Sequence, residues 1–349
     1  MTETESTAQT SQSRREARDA LQEALSEIKR VIVGQDAMLE RLLVSLLAGG
    51  HVLLEGVPGL AKTLTVKTLA GVLGGSYGRI QFTPDLVPAD LVGTRVWRPD
   101  GGRFDTELGP VFNNFVLADE INRAPAKVQS ALLEVMQEEQ VTIGGTSHRV
   151  PLPFIVMATQ NPIESEGTYP LPEAQLDRFL MKILVDYPSP GEEAAVVGRS
   201  LQQPVAVREC LKLEDLQRHR QTAQTVVADR EIIGYAVALA DATRHPAAHG
   251  LEDIAGLIEF GASPRGPIGL VQSARALALL RGRGHVDERD IRDLAADVLR
   301  HRIVLSYDAL SDGVTTDELL ERILATVPAP GRGRLLRETE APTARVAGS

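Results

Sequence analysis

Apolar residues in this chain recur at two spacings, which separate helices from strands. From Arg15 to Lys29 the positions Ala20, Leu21, Ala24, Leu25 and Ile28 return every three or four residues and predict a helix. A second helix follows Asp36 through Met38, Leu39, Leu42 and Leu43. HVLLEG (51–56) is instead a short unbroken apolar run closed by glycine, the pattern of a strand buried on both faces. A helix is predicted next from about Ala61, carrying Leu64, Val66, Leu69 and Val72. NFVLADE (114–120) and FIVMATQNP (154–162) repeat the strand character, each ending in polar residues, and AKVQSALLEVMQEE (126–139) between them has helical spacing.

This alternation over residues 51–187 predicts a doubly wound α/β domain with a parallel sheet. In such a sheet ligands sit at the carboxyl ends of the strands, where the polar residues cluster. Two segments interrupt the alternation. TRVWRPDGGRFDTELG (94–109) has an Asp-Gly turn between short extended arms, and QVTIGGTSHRV (140–150) has Gly-Gly between β-prone arms, so both predict hairpins. The expected organisation is a disordered polar tail over 1–14, an α/β core over 15–187, a Pro/Gly-containing linker at 188–193, an all-α domain over 194–327 and a C-terminal tail over 328–349.

Composition narrows the function classes. A chain of 349 residues buries enough surface for about two domains. Its net charge of −10 argues against a broad nucleic-acid-binding surface, which needs clustered Lys and Arg. Cys210 is the single cysteine, which excludes an intrachain disulfide and disfavours a cysteine-based metal site. The N-terminus lacks the apolar stretch of a secretory signal, and no later apolar run approaches the roughly 18 residues needed to cross a bilayer. The expectation is a cytoplasmic protein without membrane insertion.

The chemistry concentrates at Gly56, Val57, Pro58, Gly59, Leu60, Ala61, Lys62, Thr63 and Leu64, a glycine loop between the first predicted strand and its helix. Such a loop turns successive backbone N–H groups around phosphate oxygens and aims the positive end of the helix at the anion. Lys62 is placed to reach the β- and γ-phosphates, and Thr63 to hold Mg²⁺ through its hydroxyl. Ala61 stands where a further glycine is usual, and is acceptable if it has already entered the right-handed helix. Asp119 and Glu120 end the second predicted strand, where one carboxylate suits the Mg²⁺ water shell and the other an attacking water. Asn161, ending the third, has an amide suited to a γ-phosphate and that water; its alternative is a turn residue before Pro162.

The sequence closely resembles the MoxR family of AAA+ ATPases over about residues 17–325. The resemblance rests on VIVGQD (31–36), HVLLEGVPGLAKT (51–63), RIQFTPDLVPADLVGT (79–94), GPVFNNFVLADEINRAPAKVQSALLEVMQE (109–138), VMATQNPIESEGTYPLPEAQLDRF (156–179), GASPRG (261–266) and VLRHRIVLS (298–306). It implies that Val33, Gly34 and Gln35 pack near the adenine of ATP, that Asp119 is the metal-associated carboxylate, and that Glu120 is catalytic. It further implies that Asn161 is the first sensor, Arg265 the second sensor in a helical lid, and Arg178 the arginine finger for a neighbouring subunit's site, with Arg123 as the other candidate finger. The hairpins match family insertions that project toward the pore or upper face of a ring.

The implied protein is an Mg²⁺-dependent ATPase in a ring-shaped homo-oligomer, a hexamer. Its implied work is chaperone-like maturation of, or cofactor and metal insertion into, protein complexes, with partners carrying a von Willebrand factor A domain. Two rivals are a nucleic-acid motor, disfavoured by the acidic balance, and a nucleotide-gated scaffold that does not hydrolyse. Three lesser signals complete the reading. His245 and His249 have helical metal-pair spacing, but Pro246 argues for a loop; Trp97 sits in a hairpin and is expected to pack locally; GRGR (331–334) is expected to be a solvated tail.

Overall fold

The computed structural model describes residues 3–163, 167–203 and 205–330. Among the described residues nine strands precede residue 185: β1 (Val52–Glu55), β2 (Tyr77–Gln81), β3 (Gly93–Arg98), β4 (Arg103–Leu108), β5 (Phe115–Asp119), β6 (Gln140–Ile143), β7 (Thr146–Arg149), β8 (Ile155–Gln160) and β9 (Met181–Leu184). Five of them form one parallel sheet in the order β2-β5-β8-β1-β9. β1, β5 and β8 are the three strands expected from the apolar runs. The two edge strands were not singled out, for a physical reason. β2 (YGRIQ) buries only alternate residues, and Lys182 interrupts the apolar run of β9, where it pairs with Glu55 at 2.8 Å.

Among the described residues eight α-helices accompany these strands: α1 (Glu3–Val31), α2 (Asp36–Ala48), α3 (Lys62–Val72), α4 (Pro88–Val92), α5 (Ala126–Glu138), α6 (Glu173–Leu176), α7 (Pro190–Ser200) and α8 (Leu213–Gln224). α1 buries Ala17, Leu21, Ala24 and Ile28 on one stripe. It also extends back through the segment expected to be a disordered tail. Those residues are polar but helix-compatible, and Gln12 donates to Glu16 one turn on at 2.9 Å. The core of the sheet domain includes Leu53, Phe82, Val116, Ala118, Leu132, Val156 and Phe179.

Both expected hairpins form. β3 and β4 pair antiparallel, with Trp97 opposite Phe104 and their rings 5.0 Å apart, so the tryptophan does pack locally. β6 and β7 pair through the two-residue Gly144-Gly145 turn.

Residues 188–193, expected to be a linker, instead contain a helix start. Ser189 accepts from the backbone N–H of Glu192, and the Glu192 carboxylate accepts from the Ser189 N–H at 2.8 Å, closing a capping box. The chain divides into two compact units later than this. The first comprises residues up to Val226 together with Arg275–Gly284; the second comprises Val227–Ala274 and His285 onward.

The second unit is built on α9 (Arg230–Arg244), α10 (Arg265–Leu280, whose residues from Arg275 belong to the first unit), α11 (Glu288–Leu299), α12 (Tyr307–Ser311) and α13 (Thr316–Thr326). α9, α11 and α13 pack on one another through Ile232, Tyr235, Leu239, Ile291, Leu294, Val298, Leu320 and Ile323. Side-chain caps at Asp229, Asp287 and Thr315 start these three helices. The expectation of helices alone is corrected by a small antiparallel pair, β10 (Ile258–Phe260) with β11 (Val304–Leu305). Beyond α9, Pro246 ends the helix as expected, and His245 and His249 both hydrogen-bond Asp241, at 3.1 and 2.9 Å. From residue 331 on, the expected C-terminal tail, including GRGR, lies outside the described residues. Among the described residues no helix is long and apolar enough to cross a membrane.

Candidate nucleotide site

The glycine loop joins β1 to α3 as its sequence demands. Gly56 passes so close to β9's exit that a β-carbon there would lie 2.5 Å from the Val185 carbonyl oxygen. Gly59 holds a φ of +89°, and a β-carbon on it would meet nothing within 4 Å. Ala61 corrects the expectation of a right-handed residue. It is left-handed, with φ 56° and ψ 17°, and its carbonyl accepts the first bond of α3 from the Thr65 N–H at 2.8 Å. The loop has to turn inward immediately before the helix begins, and the left-handed residue makes that turn.

Pro58, Gly59, Leu60, Ala61, Lys62, Thr63 and Leu64 line a cavity of about 350 Å³ together with the polar side chains of Asp119, Glu120, Thr159, Gln160 and Asn161. Three strand ends thus converge on one cradle, because parallel pairing aligns the carboxyl ends of β1, β5 and β8. The Lys62 ammonium donates to the Gly56 carbonyl at 2.6 Å. Half-burial lowers its pKa, while Asp119, Glu120 and Glu55 favour its charged form. Val57 and Gly56 do not line the cavity; Gly56 contributes through that carbonyl.

The two carboxylates are each held in a definite setting. Asp119 accepts from the Thr159 hydroxyl at 2.7 Å and from Arg79 Nη2 at 2.7 Å. Glu120 sits at φ 56° and ψ 51°, a left-handed conformation that non-glycine residues seldom take. Its N–H donates to the Thr159 hydroxyl at 2.8 Å, and its carboxylate accepts from Gln81 at 2.9 Å and pairs with Arg123 at 3.1 Å. Asn161 is buried and takes the expected turn position while also bordering the cavity. Its Oδ1 accepts from the Ile163 N–H at 3.1 Å in the turn, while the side chain lines the cavity.

Thr159, Arg79 and Gln81 were missed. They lie within the quoted family segments 79–94 and 156–179, but local sequence gives them no role, since they reach the carboxylates only through the register of neighbouring strands, Gln81 opposite Asp119 and Leu117 opposite Met157.

A second cavity, about 590 Å³ and largely apolar, shares Ala61 and Leu64 with the first. Its walls include Val31, Ile32 and Val33, one face of α3 from Leu64 to Gly71, and Val196, Val205 and Val207. Leu64 is half exposed and borders both cavities. Val33 lines the apolar cavity, but Gly34 faces the Glu192 carboxylate and Gln35 donates to the Asp186 carbonyl at 2.9 Å. Arg178 lines neither cavity. It borders a separate polar hollow of about 330 Å³ with Ser130, Glu134, Gln137, Glu138 and Gln175. Arg265 opens α10 in the second unit, its N–H donating to the Ser263 hydroxyl at 3.1 Å.

The donor set fits Mg²⁺ bound with a nucleoside triphosphate. Thr63 and Asp119 offer hard oxygen ligands, and Mg²⁺ is ordinarily held by one or two protein oxygens plus phosphates.

A five-stranded parallel sheet, a glycine loop opening a helix, and paired carboxylates at a neighbouring strand end define a P-loop nucleotide-binding core of the AAA+ type, with a helical second domain. Residues 51–181 match the ATPase family associated with various cellular activities (AAA), and residues 252–323 match the AAA lid domain. The chain is 55% identical over 310 residues to Chaperone MoxR1 of Mycobacterium tuberculosis, covering 89% of this chain and 82% of that protein. It is 36% identical over 327 residues to Protein MoxR of Paracoccus denitrificans, covering 88% and 96%. A crystal structure of a protein from Cytophaga hutchinsonii superposes with a TM-score of 0.88 at 46% identity, covering 94% of this chain and 99% of that one. The chain belongs to the MoxR family of AAA+ ATPases.

Proposed function

We propose that the protein binds ATP with Mg²⁺ across the two adjoining cavities and hydrolyses it to ADP and phosphate. The observation that carries this reading is their junction at Ala61 and Leu64, where the glycine-loop cradle with its carboxylates meets a larger, mostly apolar cavity. Lys62 and the backbone N–H groups of the loop hold the phosphates, and Thr63 and Asp119 hold the metal. When bound there, Mg²⁺ would supply positive charge that offsets the charge of the phosphates. Glu120 orients the attacking water and takes its proton, and Asn161 positions that water through its amide.

Arg178 fits a role in trans, because it stands apart from its own cradle while Arg123 is paired with its own Glu120. A guanidinium supplied by the neighbouring subunit stabilises charge developing on the transferred phosphoryl group, and this requires a ring, which we take as hexameric. Arg265 is assigned as second sensor on the family match alone. The name of the mycobacterial relative and family membership support chaperone-like remodelling; we place it in the cytoplasm on the sequence reading. We infer that the client is matured or loaded with its cofactor or metal alongside a partner bearing a von Willebrand factor A domain.

Two substitutions test the mechanism. Glu120→Gln is expected to keep ATP binding, measured by calorimetry, and to lower phosphate release at least about 100-fold. Lys62→Ala is expected to abolish binding itself. Unchanged turnover in Glu120→Gln would remove the glutamate from its catalytic role. Stimulation of turnover by DNA, rather than by an A-domain protein, would favour a nucleic-acid motor.

A further inference from the structure

Lys62 stands among three carboxylates, Glu55, Asp119 and Glu120, whose charge favours its ammonium form. Their field reaches the cradle, where it opposes the entry of an anionic phosphate chain. Each of the three is paired with a cation: Glu55 with Lys182 at 2.8 Å, Glu120 with Arg123 at 3.1 Å and Asp119 with Arg79 at 2.7 Å. Among the described residues that line the cavity Lys62 is the one cation, so Lys182, Arg123 and Arg79 act from outside it.

Strand register holds Arg79 in its place. It lies on β2 opposite Leu117 of β5, and its side chain crosses to Asp119 two residues further on, donating to Oδ2 from Nε at 3.2 Å and from Nη2 at 2.7 Å. Nη2 also donates to the side-chain carbonyl of Gln81, two residues along the same face of β2. The other carboxylate oxygen, Oδ1, accepts from the Thr159 hydroxyl. The Asp119 side chain is only 14% exposed, so water screens its charge little and the guanidinium beside it matters more than at an open surface.

We propose that Arg79 is a positioning residue that offsets the charge of Asp119 from outside the cavity and so sets how strongly nucleotide binding depends on the metal. The inference rests on the nucleotide reading above, in which Asp119 is a metal ligand. With the metal present, two cations act on one carboxylate, and losing the guanidinium changes the phosphates' surroundings little. With the metal withdrawn, Arg79 is the cation at that carboxylate, and losing it leaves an uncompensated negative charge facing the phosphates. Arg79 and the metal are thus linked through Asp119, and the linkage is read as a change in metal dependence.

The test compares the wild-type chain with Arg79→Met, which keeps the stem and removes the charge, and with Arg79→Lys, which keeps the charge. Calorimetry gives the affinity of each for a non-hydrolysable ATP analogue, once in Mg²⁺ and once in EDTA. Arg79→Met is expected to bind at least about threefold more weakly in EDTA and to change by less than about twofold in Mg²⁺, so that its metal dependence rises. Arg79→Lys should keep the wild-type ratio.

Equal weakening in both conditions would reduce Arg79 to a structural role, and unchanged affinity in both would remove it from the site; either overturns the assignment. So does an Arg79→Lys chain that behaves as Arg79→Met does. If Arg79→Met does not fold, Arg79→Gln, neutral but still a donor, must show the same rise in metal dependence. A wild-type chain that binds the analogue more tightly in Mg²⁺, with a ratio that ignores Arg79, removes this inference alone. A wild-type chain that binds in neither condition removes the nucleotide reading with it, and one that binds equally in both removes the metal from that reading and this inference too.

Discussion

Ala61 holds φ 56° and ψ 17° at the mouth of α3, a conformation that costs an L-residue roughly 1–2 kcal/mol relative to the right-handed one. Glycine escapes that cost but brings roughly 0.5–1 kcal/mol of extra chain entropy to be lost on folding. Ala61→Gly is therefore expected to leave stability unchanged or raise it by up to about 1 kcal/mol, with ATP binding retained. Ala61→Val should destabilise, since a β-branched residue fits the left-handed region worst. Urea midpoints for the two variants check this, and a clear loss in Ala61→Gly would mean that the loop does not turn left at this residue. The amino acid alone did not predict the handedness, because Ala is compatible with a helix start and only the path of the loop demands the turn.

Thr159 ties β8 to β5 at the heart of the cradle. Its hydroxyl donates to Asp119 and accepts from the Glu120 N–H, so one atom orients the proposed metal ligand and fixes the backbone of the proposed base. Thr159→Val keeps the shape and leaves a buried N–H without its acceptor. The expected loss is about 1–3 kcal/mol of stability, together with reduced turnover, while Thr159→Ser should recover most of both. A turnover in Thr159→Val equal to wild type would separate this hydroxyl from the chemistry.

His51, at the start of β1, plays a comparable linking role. Its Nδ1 accepts from the Val156 N–H of β8 at 3.0 Å and its Nε2 faces the Met136 carbonyl of α5 at 3.1 Å. Burial pushes its pKa down from 6.5 to about 4. The ring is therefore neutral when folded, and its contribution is complete above pH 6.5 and lost as the pH falls toward 4. That window is worth roughly 3 kcal/mol. In denaturant titrations His51→Gln should start less stable at neutral pH yet lose less across this interval; parallel losses in both proteins would assign the acid sensitivity to other groups.

For the assembled protein, the placement of Arg178 away from its own cradle leads to a complementation experiment. Arg178→Ala should bind ATP normally and hydrolyse it poorly. Lys62→Ala should do neither. Mixed under assembly conditions, the two inactive chains should regain part of the activity, because an intact finger from the Lys62→Ala chain then meets an intact cradle in the Arg178→Ala chain. No recovery in demonstrably mixed rings would place the functional cation elsewhere.

Three central strands, the cradle helix, both hairpins and the cradle residues themselves were legible in the sequence. Apolar periodicity and glycine-loop chemistry are written in adjacent residues, so HVLLEGVPGLAKT and NFVLADE announce strand, loop and carboxylates without any distant partner. Edge strands β2 and β9 were not legible, since half-exposed or salt-bridged strands lose the apolar signature. Nor were the contacts of Arg79, Gln81 and Thr159. Thr159 meets Asp119 across 40 positions of chain. Local covalent order sets a residue's conformational preferences and charge; which groups a carboxylate or guanidinium faces is set by strand register and packing, which sum interactions from the whole domain.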